Sequence, residues 1–126
     1  MSYIKHKSEE SMEDYLETIL VLSQKNASVR SVDIVNELGY SKASVSVAMK
    51  NLREKQFITM DKVGYITLTK EGLALATKIL ERHTLLSDWL IRLGVSEDVA
   101  KADACKIEHD ISEETFSLLK KHCLNS

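Results

Sequence analysis

Residues 28–52 read S-V-R-S-V-D-I-V-N-E-L-G-Y-S-K-A-S-V-S-V-A-M-K-N-L, two amphipathic stretches broken by a single glycine. Ser31 is expected to cap a short helix carrying Val32, Ile34, Val35 and Leu38. Gly39 ends it, because a left-handed residue at a helix terminus is least strained when it has no Cβ. Ser41 then caps a second helix with Val45, Ala48, Met49 and Leu52 turned inward. Two helices joined by a turn of three or four residues containing glycine form a helix-turn-helix.

The flanking segments extend this unit. Upstream, Met12, Tyr15, Leu16, Ile19 and Leu22 recur at three and four, so a helix is expected from about Ser8 to Lys25. Asp14 and Glu17 fall off that stripe, three apart, and share another face. Downstream, F-I-T-M-D-K-V-G-Y-I-T-L-T alternates in hydropathy around D-K-V-G, the pattern of a hairpin wing. Thr69 is placed to cap a long helix through about Leu93, with Ala76, Ile79, Leu80, His83, Leu86 and Leu90 in register. Ser96 begins a further helix, and Ser112 a last one ending near Cys123. The chain has no proline to interrupt any of these. The expected fold class is mainly α: an N-terminal winged helix-turn-helix with a small β-hairpin, then a helical domain.

Charge is divided along the chain. Residues 41–70 hold six basic groups (Lys42, Lys50, Arg53, Lys55, Lys62, Lys70) against two acidic ones (Glu54, Asp61). Residues 71–126 hold seven basic against ten acidic. That pairing suits a nucleic-acid reader joined to something that is not one. The second helix of the motif would enter the major groove, led by Ser41, Lys42, Ala43, Ser44 and Ser46. Small hydroxyls permit close approach and bond phosphates or bases, and Ala43 suits a thymine methyl. Lys50, Arg53 and Lys62 are candidates for phosphate contacts. A helical scaffold with a solvated charged face is the weaker reading.

No apolar run reaches the roughly 18 residues a membrane span needs, and the start M-S-Y-I-K-H-K-S-E-E lacks a signal-peptide core. A cytoplasmic protein is expected, with Cys105 and Cys123 kept as thiols. His6, His122 and Cys123 read as surface or terminal residues.

The stretch D-A-C-K-I-E-H-D-I-S, residues 103–112, stacks Cys105, Glu108 and His109 on one helix face. Taken alone this triad is as easily a surface coincidence as a metal site. His83, inside an apolar stripe, is more often a core histidine. Asp14 and Glu17 alone would be a solvated pair.

Together these blocks resemble a family. S-M-E-D-Y-L-E (11–17), S-V-D-I-V-N-E-L-G-Y-S-K-A-S-V-S (31–46), R-H-x-L-L (82–86) and D-A-C-K-I-E-H-x-I-S (103–112) are similar, in order and spacing, to the diphtheria-toxin-repressor and manganese-transport-regulator family. The resemblance covers nearly the whole chain. It implies a DNA-binding domain over 1–70 and a helical metal-binding and dimerisation domain over 71–126. It further implies a homodimeric repressor of metal-uptake genes that binds a palindromic double-stranded operator when divalent metal is plentiful. Neither a membrane nor a small organic substrate is implied.

The ligands carried over by position are Asp14, Glu17, His83, Cys105, Glu108 and His109. Three carboxylates, two imidazoles and a thiol suit Mn²⁺ or Fe²⁺, one or two ions per subunit, with the thiol favouring the softer metal. The sequence is a hybrid of the two branches. Manganese-type members usually have Glu where Cys105 stands, whereas iron-type members have Met where Asp14 stands. Ser87 and Lys101 replace the Glu and His of the iron-type ancillary site, so no second site of that kind is expected. The chain is also expected to be a short form, without the C-terminal β-barrel of some members.

Two other readings compete. One is a winged-helix regulator that senses a non-metal ligand or has no effector. The other is an enzyme, disfavoured because there is neither a pair of Glu-x-x-His motifs nor a strand–turn context to present Cys105 as a nucleophile.

Overall fold

A computed structural model describes residues 2–124, with side chains from 12 to 123. In chain order the elements are α1 (Ser2–Lys25), α2 (Ser31–Leu38), α3 (Lys42–Glu54), β1 (Ile58–Met60), β2 (Ile66–Leu68), α4 (Lys70–Leu93), α5 (Glu97–Asp110) and α6 (Glu113–Leu124). The backbone divides into two compact units, one spanning Lys7–Thr77 and the other built mainly from Lys78 onward.

In the first unit, the stripe expected on α1 is in place: Tyr15, Leu16, Ile19 and Leu22 are buried. The helix itself begins earlier than the apolar spacing announces, at Ser2. The cap of α2 also differs from expectation. Arg30, not Ser31, is the capping residue, and Ser31 is the first helical one. The Arg30 N–H donates to the Asp33 carboxylate at 2.8 Å, while the Asp33 N–H donates to the Arg30 carbonyl at 3.0 Å. A carboxylate in the first turn satisfies the entering backbone and also meets the positive end of the helix, which a serine hydroxyl does not do. Of the apolar residues expected inward on α2, Ile34 is buried but Val32 is 49% exposed.

Gly39 closes α2 at φ 73°, its N–H reaching the Val35 carbonyl. Ser41 Oγ then accepts the Ser44 N–H at 3.1 Å, capping α3. Val45, Met49 and Leu52 are buried beneath that helix. Gln56 leaves α3 with φ 64°, and the Phe57 N–H donates to the Leu52 carbonyl at 3.0 Å. This closure turns the chain directly into β1.

The hairpin pairs Ile58 with Leu68, Thr59 with Thr67 and Met60 with Ile66. Ile58 and Ile66 face the core while both threonines face water, as strand alternation requires. A further link ties the turn end of β2 to the segment entering the helix-turn-helix: the Ile66 N–H donates to the Val29 carbonyl at 2.7 Å. Thr69 Oγ1 accepts the Gly72 N–H and donates to the Gln56 carbonyl, so one hydroxyl both caps α4 and fixes the exit of α3. Gly72 is required here, since a Cβ at that position would stand 1.9 Å from the Phe57 carbonyl oxygen.

The second unit is organised around Leu86 on α4, Ala104 on α5 and Phe116 on α6, with Leu85, Trp89, Leu90, Ile107, Ile111 and Leu119 packed against them. The small side chain of Ala104 lets α5 lie close to its neighbours. Arg82 spans all three helices. Its guanidinium carbon sits 4.9 Å above the Phe116 ring. One nitrogen donates to the Glu108 carbonyl at 3.3 Å, and the other meets Glu113 at 2.9 Å. Lys78 pairs with the same Glu113 carboxylate, and Lys120 pairs with Glu81. Cys123 is buried, correcting its reading as a surface residue, because α6 runs on to Leu124 and turns this position inward. His122 is exposed as expected, and His6 lies outside the described side chains.

Candidate metal centre and nucleic-acid interface

Two sets of side chains stand out, one in each unit. In the second unit, the helical spacing of α5 places Cys105, Glu108 and His109 on one face, and α4 brings His83 opposite them. Glu108 Oε2 is 3.8 Å from His83 Nδ1, and Glu108 Oε1 is 3.6 Å from His109 Nε2. His109 Nε2 in turn is 3.8 Å from Cys105 Sγ. Ligand atoms of His83, Cys105 and Glu108 lie within 4.8 Å of one another.

The Glu108 side chain is 1% exposed and that of His109 3%. A carboxylate so shielded from water needs positive charge at close range. Arg82 holds the backbone at this point through the Glu108 carbonyl, which fixes where the carboxylate emerges.

The donor set fits a transition-metal ion. Bonds of about 2.0–2.3 Å from nitrogen, oxygen and sulfur place the donors of one ion roughly 3–4.5 Å apart. The distances from Glu108 to both imidazoles, and from His109 to Cys105, fall in that range. The mixture of imidazole, carboxylate and thiol is of the kind that divalent first-row transition metals bind.

The remaining sequence candidates are placed as follows. Asp14 and Glu17 are half-buried on α1, three residues apart, in the unit that carries the helix-turn-helix. Ser87 is buried. Lys101 is exposed and donates to Glu97 at 2.9 Å, a bond that raises the lysine pKa above its ordinary value.

On the first unit, Lys42, Ala43, Ser44, Ser46, Lys50 and Arg53 are all exposed along α3. Lys42, Ser46, Lys50 and Arg53 recur at intervals of four, four and three, so they form one polar and basic stripe. Ser41 is also exposed, but its hydroxyl is committed to the helix: it accepts from the Ser44 backbone and donates to Ser44 Oγ at 2.9 Å. Lys62 stands exposed in the turn of the wing.

Sequence reasoning missed Val47, which is 60% exposed in the middle of this helix. The signal was available, since Val47 lies outside the inward spacing of Val45, Met49 and Leu52. An apolar side chain presented among small and basic ones suits contact with a base methyl group.

Two protein-family models match the chain. The N-terminal DNA-binding domain of iron-dependent repressors matches residues 7–72, and their metal-binding and dimerisation domain matches residues 69–125. The chain belongs to the iron-dependent repressor family. Its two units therefore correspond to a DNA-binding half and a metal-binding, dimerising half.

Relatives within the family bear this out. The transcriptional regulator MntR of Escherichia coli O6:H1 is 36% identical over 111 residues, covering 88% of this chain and 72% of that protein. An uncharacterized HTH-type transcriptional regulator of Methanocaldococcus jannaschii is 33% identical over 113 residues, covering 88% and 90%. Among solved structures, the manganese regulator SloR superposes with a TM-score of 0.80 at 30% identity, covering 90% of this chain and 53% of that one. The chain thus spans about half the length of SloR. Among the described residues, no helix is long and apolar enough to cross a membrane.

Proposed function

We propose that this chain is a cytoplasmic, metal-gated transcriptional repressor, and not an enzyme, whose metal-loaded homodimer binds a palindromic operator upstream of metal-uptake genes. The observation that carries the reading is the grouping of His83, Cys105, Glu108 and His109 in a chain that also presents an exposed basic recognition helix. Residues 1–70 form the DNA-reading domain, and 71–126 the sensing and dimerising one. Asp14 and Glu17 complete the ligand set, supported by their spacing on α1 and by the family resemblance.

A bound divalent ion would supply positive charge against the Glu108 carboxylate and the Cys105 thiolate. The chain's own residues do the rest. Arg82 fixes the Glu108 backbone and links it to α6 through Glu113. Lys42, Ala43, Ser44, Ser46 and Val47 face the bases, while Lys50, Arg53 and Lys62 engage phosphates. Ser41 shapes the helix start that these residues share. The likeness to the manganese regulator SloR favours Mn²⁺, and the Cys105 thiol favours Fe²⁺.

The test is an anaerobic pull-down of fragmented genomic DNA with Mn²⁺, with Fe²⁺ and with chelator. Selective retention of a few fragments only when metal is present is the expected result, and the more effective ion identifies the cognate one. Equal retention in chelator would overturn the metal gate. Metal titrations of Asp14→Ala and Glu17→Ala, with unchanged affinity in either, would remove that residue from the ligand set.

A further inference from the structure

The wing is held to the helix-turn-helix at two levels. The turn end of its second strand is held through the backbone, by the Ile66 N–H on the Val29 carbonyl at 2.7 Å. Its tip is pinned through one side chain. Arg30, the capping residue of α2, sends a guanidinium nitrogen 33 positions along the chain to the Val63 carbonyl at 3.2 Å. The same guanidinium lies 5.7 Å from the centre of the Tyr65 ring, in the arrangement of a cation–π contact.

The tip itself is internally tied. Asp61 Oδ1 accepts the N–H groups of Val63, Gly64 and Tyr65 at 3.0, 2.9 and 2.9 Å. The Asp61 N–H also donates to the Tyr65 carbonyl at 3.1 Å. The turn carrying Lys62 is therefore one piece, and Arg30 adds a side-chain tie from its middle to the start of α2, beside the backbone bond between Ile66 and Val29.

We propose that Arg30 is a positioning residue for DNA binding. It sets the angle of the wing, and with it the reach of Lys62, relative to the recognition helix. This rests on the DNA-binding reading above. A turn held only through an adjoining strand is freer than one also tied at its middle, and an ammonium on the freer turn loses more freedom on meeting a phosphate than one already held in place. Arg30 acts through Val63 and Tyr65, not by touching DNA itself.

The experiment is a double-mutant cycle on the Mn²⁺-loaded full chain: wild type, Arg30→Ala, Lys62→Ala and the pair. Affinity is measured across a salt series, on a genomic fragment that the wild type retains with metal. Each phosphate contact contributes about 0.9 to the slope of log K against log salt. Arg30→Ala is expected to flatten the slope as Lys62→Ala does, and the double variant to be no weaker than Lys62→Ala alone. Arg30→Lys, which keeps the charge but loses the planar fork, is expected to behave like Arg30→Ala. Tyr65→Phe keeps the ring and should match wild type.

Additive losses in the cycle, or full rescue by Arg30→Lys, would overturn the proposal and make Arg30 a direct phosphate contact. A wild type that retains no fragment under any condition would overturn the DNA-binding reading, and the inference with it. A thermal melt of each variant separates these outcomes from simple unfolding.

Discussion

His83 Nδ1 on α4 lies 3.8 Å from Glu108 Oε2 on α5, and the other oxygen of that buried carboxylate faces His109. One carboxylate thus bridges two imidazoles from different helices. Glu108→Ala and His83→Ala are each expected to weaken Mn²⁺ binding by at least about 100-fold, some 2.8 kcal/mol. Isothermal titration gives the affinity and circular dichroism verifies that the helices remain. A variant that binds Mn²⁺ as the wild type does would take its residue out of the site.

Glu113, at the start of α6, has its carboxyl held below the ordinary carboxylate range, first by its hydrogen bond to Lys78 and then by the charges of Lys78 and Arg82. A depressed carboxyl stabilises the fold above its unfolded pKa, and that contribution is lost as pH falls through the lowered value. Glu113→Gln should therefore melt below the wild type near neutrality, with the gap closing below pH ~4. Because the group is exposed, high salt should shrink the gap as well. A gap that persists in acid would mean that Glu113 acts through something other than its charge.

Gly72 looks like a weak point in α4, since glycine costs about 1 kcal/mol against alanine inside a helix. The structure reverses that expectation, because an added Cβ would sit 1.9 Å from the Phe57 carbonyl oxygen. Gly72→Ala should lower stability by about 1–3 kcal/mol or more. Urea unfolding of the pair decides it, and a stabilised variant would mean that α4 and the start of the wing can separate at little cost.

Ser41 and Ser46 offer a paired test of what the recognition helix uses its hydroxyls for. Ser41→Ala removes the cap of α3 and is expected to cost about 1 kcal/mol of stability along with DNA affinity. Ser46→Ala should leave the melting temperature unchanged and reduce DNA affinity alone. Equal melting temperatures for the two variants would show that α3 does not depend on its cap.

Much of this was legible along the chain because the determinants are local. Gly39 marks a left-handed helix end, Ser41 marks a cap, and Cys105, Glu108 and His109 declare a shared face by spacing alone. What was not legible depends on residues distant in sequence. Arg30 reads as an ordinary surface arginine until the wing folds back to meet it. Gly72 reads as a flaw until Phe57 lies against it. Gln56 takes a left-handed conformation that nothing in its type announces. Cys123 reads as peripheral because it lies near the end of the chain, whereas the length of α6 carries it inward. The opening of α1 was missed because helix continuation needs no apolar stripe.

The aromatic residues are sorted between the two units. Trp89, the chain's sole tryptophan, packs against the Leu86, Ala104 and Phe116 cluster. Three of the four tyrosines, Tyr15, Tyr40 and Tyr65, belong to the unit that reads DNA, with the first two rings 5.9 Å apart and edge to face. Excitation at the red edge, where only indole absorbs, therefore reports on the sensing half alone. Phenol absorbance follows mainly the other half. The two melting curves can be recorded from one cuvette of unlabelled protein, and whether they coincide reveals how cooperatively the sensor and the reader unfold.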